Sequence, residues 1–178
     1  LGLLGEMPVE VSAKGSHYLH PEIADVTMSQ LKFDRGVNAH IFVSWLHPFK
    51  EQKLVVVGDK QMVVFDDTAP WESKLTLYPH EIIWKDGVPE AKKADGKHMP
   101  VEEGEPLKAE CQHFLKCIDD RCVPLTDGEE GLAGLRVLNA LQRSLDSNGV
   151  TVSLDSTERP YFVHETAIVE DGARIGDG

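Results

Sequence analysis

Two short clusters hold the side chains with the most chemical reach. His17, Tyr18 and His20 follow a run in which Val9, Val11 and Ala13 alternate with Glu10, Ser12 and Lys14. His47, Lys50, Glu51 and Gln52 follow a second alternating run that ends at Trp45. Both clusters therefore fall at strand ends, where a ligand can meet a sheet. A neutral imidazole or a Lys ammonium donates hydrogen bonds to hydroxyl or phosphate oxygens, so these residues are candidates for holding an oxygen-rich ligand. The same residue types are common in solvated loops. His40, within the second run, reads as a packed or edge histidine. No His, Asp and Glu trio has metal-ligand spacing. Neither a nucleophile elbow, a P-loop nor a dinucleotide fingerprint occurs in the chain. Gly58, Asp59 and Lys60 lack the second glycine and following helix of a phosphate cradle, and read as a hairpin turn.

The elements that would position these groups are strands first, helices later. Val37, Ala39, Ile41, Val43 and Trp45 share one face of a strand, and residues 25–33 form another. Residues 54–57 and 62–65 are continuous apolar runs joined at 58–61, the pattern of a hairpin covered on both faces. Residues 75–78 and 81–84 are weaker strand candidates. The run 85–105, rich in charge, Gly and Pro, predicts a mobile surface loop without chemistry. Pro106 then opens a helix whose stripe Leu107, Cys111, Phe114, Leu115 and Ile118 is expected in the core. Thr126 with Glu129 reads as the capping box of a second helix ending at Asn148 and Gly149. Strands followed by helices indicate α+β.

With 178 residues, 41% of them hydrophobic, the chain can bury a core. Its formal charge of -12 argues against nucleic acid and anionic membranes as partners. No apolar run approaches the roughly 20 residues of a membrane span, so a cytoplasmic location is expected. Cys111, Cys117 and Cys122 are odd in number and not paired as CxxC, so reduced structural thiols are expected rather than a disulfide framework or zinc.

Residues 44–67, SWLHPFKEQKLVVVGDKQMVVFDD, resemble the sheet of the Gfo/Idh/MocA family of NAD(P)-dependent oxidoreductases. The resemblance extends over about residues 5–154 and is nearest to members acting on nucleotide-linked sugar acids. It implies an open, mostly antiparallel sheet with helices on one face, the other face packing against a neighbouring subunit. In the family a Rossmann domain comes first, and a helix with an Asp-x-x-x-His motif supplies the catalytic His. Leu1, Leu3 and Leu4 before Gly5 and Pro8 read as the last turn of an apolar helix with its stop. The motif and the Rossmann domain are therefore expected upstream of Leu1. By this resemblance the chain is a substrate-binding and oligomerisation domain with no catalytic, cofactor-binding or metal-binding residue of its own. NAD or NADP would belong to the parent enzyme and not to this fragment. His17, Tyr18, His20, His47, Lys50, Glu51 and Gln52 would line the sugar side of the parent's pocket. A homo-oligomer through the sheet face and a UDP-linked sugar are the implied partners.

Towards the end of the chain, Val163, Val169 and Ile175 recur every sixth residue, with Gly172 and Gly176 nearby. This resembles the opening coils of the left-handed β-helix in hexapeptide-repeat acyltransferases. Two or three hexads cannot stack into that fold. The expected organisation is a family-like domain over 1–154, a linker at 155–160 and first repeats at 161–178. In bacterial surface-polysaccharide pathways, such a dehydrogenase oxidises position 3 of a UDP-N-acetylglucosaminuronate. An aminotransferase and a hexapeptide-repeat N-acetyltransferase follow, so a fusion would join successive chemistry. Two other classes stay open: a non-catalytic oligomerisation or scaffold module keeping the family's sheet, and a fragment of an acyltransferase using an acyl-CoA donor. A GxGxxG strand-turn-helix upstream or continuing hexads downstream would separate them.

Overall fold

The computed structural model describes residues 1–92 and 94–154. In chain order the strands are β1 (Glu10–Ser16), β2 (Val26–Lys32), β3 (Asn38–Ser44), β4 (Lys53–Val57), β5 (Met62–Asp66), β6 (Leu75–Tyr78), β7 (Glu81–Lys85), β8 (Val88–Lys92) and β9 (Lys97–Met99). Helices α1 (Pro106–Asp120) and α2 (Gly128–Asp146) follow, then the short β10 (Val152–Ser153). The chain divides into two compact units, Leu1–Leu46 with the C-terminal residues from 125, and His47–Pro124. Every strand pairing among the described residues is antiparallel, and the α+β expectation holds.

In the first unit the strand order is β10-β1-β2-β3. Its register sets Val11 opposite Leu31 and Leu31 opposite Ala39, so these three share a face. That face is the core: Val11, Leu31 and Phe33 are buried with Val137 and Ala140 of α2. The N-cap of α2 is Asp127 rather than Thr126, because the Asp127 carboxylate accepts the Glu130 N–H at 2.9 Å. The N3 residue is accordingly Glu130, one place beyond the expected Glu129. The helix stops where Asn148 and Gly149 turn to φ 55° and 89°. Gly149 suits that position because its φ is positive, a conformation that side-chain-bearing residues rarely adopt. Ser144, fully buried, ties this end together: its Oγ accepts from the Ala13 N–H at 2.9 Å and donates to the Val150 carbonyl at 2.6 Å.

The second unit holds a sheet of order β4-β5-β6-β9 and the separate pair β7-β8. The expected hairpin is present, closed by Gly58 N–H donating to the Gln61 carbonyl at 2.9 Å. Within this chain alone, however, it is not covered on both faces. β4 is the edge strand, and Leu54, Val55, Val56 and Val57 stay between 41% and 66% exposed. The run 85–105 is likewise not one loop. Asp86 and Gly87 both take positive φ, 52° and 78°, giving the two-residue turn that matches strand twist. Lys85 pairs with Val88 across it, and β9 adds a further strand beside β6. The composition had obscured an Asp-Gly hairpin signal. The α1 stripe also departs from expectation: Cys111, Leu107, Phe114, Leu115 and Ile118 are exposed, and Cys117 is the helix's buried residue. Helical period identified a face without determining what covers it. The expected linker at 155–160 and the hexads beyond lie outside the described residues.

Candidate functional site

The loop from β1 to β2 is organised by a residue that the sequence did not single out. Asp25 is buried, and its carboxylate collects three N–H groups: Tyr18 N at 2.5 Å and Leu19 N at 2.8 Å on Oδ2, and Trp45 Nε1 at 2.7 Å on Oδ1. The backbone closes the same knot, with Asp25 N–H donating to the Ser16 carbonyl and Trp45 N–H to the Asp25 carbonyl. The Leu19 and Tyr18 N–H groups, then the Trp45 indole, hold the Asp25 carboxyl below its ordinary range against the opposing effect of desolvation. An ionised acceptor thus fixes the backbone from which Tyr18 and the Trp45 ring project, 72% and 63% exposed respectively. His20 Nδ1 accepts the Glu22 N–H at 3.1 Å, and His17 lies close enough to Asp25 to favour its charge. His17, Tyr18 and His20 therefore share one ordered loop. His40 lies on edge strand β3, in a shallow cleft with Ser12 and Gln30.

The second cluster lies in the other unit and is also tied to an aspartate. Asp67 N–H donates to the Gln52 carbonyl at 2.9 Å, and Lys50 Nζ reaches Asp67 Oδ2 at 3.4 Å. Lys74, largely buried, donates to the Asp67 carbonyl and to Oδ1 at 3.1 Å. Its ammonium also stands 5.0 Å from the Trp71 ring centroid. Lys74 first, then Lys50, depresses the Asp67 carboxyl. His47 and Phe49 approach with ring centroids 5.5 Å apart. Glu51 is exposed. Thus Lys50 and Gln52 are joined through Asp67, while the two clusters belong to separate units. Neither Asp25 nor Asp67 stands out as a motif. Each was findable only from register: Val26 opposite Ser44 sets Asp25 opposite Trp45, and Lys53 opposite Asp66 brings 50–52 beside 67.

Chemically, the first loop offers fixed aromatic surfaces and imidazoles, and the second offers an exposed ammonium. Both suit binding and orientation. Among the described residues, no group of three or more His, Cys, Asp or Glu is arranged to hold a metal ion. No described helix is long and apolar enough to cross a membrane.

A family model of the GFO/IDH/MocA C-terminal domain matches residues 1–64. The α+β arrangement of open antiparallel sheets and two helices is consistent with that domain. Among solved structures, the UDP-N-acetylglucosamine 3-dehydrogenase GnnA from Acidithiobacillus ferrooxidans is similar with a TM-score of 0.62 at 19% identity, over 80% of this chain and 42% of that one. The WlbA dehydrogenase from Bordetella pertussis, solved with NADH and UDP-GlcNAcA, gives 0.58 at 22% identity, over 85% of this chain and 40% of that one. An NAD-binding protein from Listeria innocua gives 0.62 at 18%, over 85% and 47%. These likenesses establish the fold, and the chain spans less than half the length of each of the three. No match was found among curated proteins.

Proposed function

We propose that this chain is the C-terminal substrate-binding and oligomerisation domain of a Gfo/Idh/MocA-type NAD(P)-dependent sugar dehydrogenase. The substrate we propose is a UDP-linked N-acetylhexosaminuronate of surface-polysaccharide biosynthesis, handled in the cytoplasm. The observation that carries this reading is the family-model match over residues 1–64, which takes in both candidate loops. The relatives solved as a UDP-N-acetylglucosamine 3-dehydrogenase and with UDP-GlcNAcA support the substrate class.

In the whole enzyme, hydride would pass from C3 of the sugar to nicotinamide. The described residues contain no glycine-rich strand-turn-helix to seat a pyrophosphate, and in this proposal the parent's Rossmann domain would hold the dinucleotide. The contribution of this domain is binding. In the first unit His17, Tyr18 and His20 would offer contacts to sugar hydroxyls from a loop held by Asp25; taken separately, His47, Lys50, Glu51 and Gln52 of the second unit would offer contacts to anionic groups. Groups remote from the reacting carbon act mainly on affinity and orientation.

The test is nicotinamide absorbance in the full-length protein against UDP-sugars and free polyols. Tyr18→Ala and Lys50→Ala should each raise KM several-fold before kcat falls. Turnover of free inositol or glucose with none on any nucleotide sugar would reject the substrate class and keep the family. An absence of nicotinamide-dependent turnover on both panels would reject the enzyme reading.

A further inference from the structure

The C-terminal stop of α1 brings two cysteines together. Arg121 turns to φ 54°, the left-handed region that a glycine usually fills, and the Cys122 N–H reaches back to the Cys117 carbonyl at 3.2 Å. In this type of helix ending, the residue just past the stop packs its side chain on the residue five places earlier. Here those two residues are Cys122 and Cys117, so the helix ending sets the two thiol-bearing residues against each other. On its other side Cys117 Sγ is 3.5 Å from His113 Nε2, one helical turn back. The pair is also asymmetric, since Cys117 is buried and Cys122 exposed.

We propose that Cys117 and Cys122 are a redox-reactive pair that closes an intrachain disulfide when the protein meets a hydroperoxide. Cys122, the accessible member, attacks the terminal peroxide oxygen; the O–O bond breaks, the thiol becomes a sulfenic acid and water leaves. Cys117 then attacks the Cys122 sulfur. His113 Nε2 takes the Cys117 proton and passes it to the departing hydroxyl, so that the S–O bond breaks and a second water leaves as the S–S bond forms. The two thiols lose two electrons and two protons to the peroxide. The exposure of Cys122 against the burial of Cys117 assigns the first step to Cys122, and burial also pushes the Cys117 thiol up. The neighbouring Cys111 is exposed, but it lies outside the helix stop and serves as the internal reference.

The chain itself supplies a diagnostic readout. Trypsin cleaves after Lys116 and after Arg121, so Cys117 and Cys122 fall on different peptides that stay joined only through a disulfide. The full chain, treated with hydrogen peroxide and then alkylated, should drop from three titratable thiols to one. It should also yield the linked 117–121 and 122-containing peptides at a mass two hydrogens below their sum, and dithiothreitol should restore three thiols. Cys111→Ser should leave the linkage intact. Cys122→Ser, which touches an exposed position and spares the buried one, should abolish it and leave Cys117 reduced. Persistence of all three thiols, linkage through Cys111, a dimer on a non-reducing gel, or over-oxidation of Cys122 without linkage would each overturn the proposal.

Discussion

The loop that carries His17, Tyr18 and His20 leaves from β1, which packs Val11 on Val137 and Ala140 of α2 and is also hydrogen-bonded to that helix through the Ser144 hydroxyl. Replacing Ser144 by Ala removes it. The Ala13 N–H, in a residue only 4% exposed, then loses its acceptor at a position that water does not easily reach. A buried donor stranded in this way costs about 1–3 kcal/mol. The second bond, to the Val150 carbonyl, is the cheaper loss because Val150 is 61% exposed and its carbonyl can turn to solvent. The expected destabilisation is therefore about 2 kcal/mol, or about 8–16 °C in the melting of a unit of this size. The assay is urea unfolding followed by far-UV circular dichroism, requiring an unchanged slope so that the midpoint reports stability. Ser153→Ala is the matched control: its Oγ lies 3.5 Å from the Val9 carbonyl on an exposed residue, and its loss should stay within about 0.5 kcal/mol. If the two variants unfold together, the Ser144 hydroxyl does not fasten helix to strand and the account of how the loop is positioned fails.

Two further outcomes follow from the same contacts. The Asp25 carboxyl is depressed, so its contribution is fully present above the ordinary aspartate value of 3.8 and is lost as pH falls through the lower folded value. With Trp71 and Trp84 changed to Phe, Trp45 fluorescence should stay flat from pH 7 to about 4 and shift below. Asp25→Asn should show that shift already at pH 7, and a variant spectrum identical to the wild type would remove Asp25 as the organiser of the loop. The oligomerisation part of the proposal rests on β4. Val56→Lys, at an exposed strand position, should dissociate the assembly and leave the fold intact, whereas Val64→Lys, at a partly buried one, should unfold it. A monomeric wild type in sedimentation equilibrium would refute association through the sheet.

What the sequence made legible was whatever depends on local period. The alternation at Val9, Val11 and Ala13, the turn at 58–61 and Pro106 at the head of α1 each signal within a few residues, and each element is present. Asp25 and Asp67 did not signal, because these partners lie far along the chain: Trp45 is 20 residues away and Lys50 is 17. A lone aspartate becomes an organiser only once pairing has set what lies opposite. The β7-β8 hairpin was hidden for a different reason. Its strands mix Lys, Glu and Pro with Ile82, Ile83 and Trp84, so composition pointed to a loop while the two residues at the turn pointed to a hairpin. The α1 stripe and β4 mark a third limit: periodicity identifies an apolar face, but burial depends on a partner surface that periodicity does not encode.

The two aspartates also separate the roles of the candidate residues. Asp25 binds backbone N–H groups and an indole, none of which a ligand would compete for. Its loop is therefore preorganised, and under the proposed function a ligand meeting Tyr18 and Trp45 would carry no large ordering cost. Asp67 instead engages Lys50 through an exposed ion pair at 3.4 Å, with both side chains in contact with solvent. Such pairs are weak, whereas a lysine on a phosphate makes a charge-assisted bond of shorter, stronger type. Lys74 remains on Asp67 by its two oxygen contacts, so the carboxylate keeps a cation when Lys50 leaves. The release of Lys50 therefore strands no charge. Each loop can therefore be tested by itself: under the proposed function the first would contribute a fixed surface and the second a cation that can be spared.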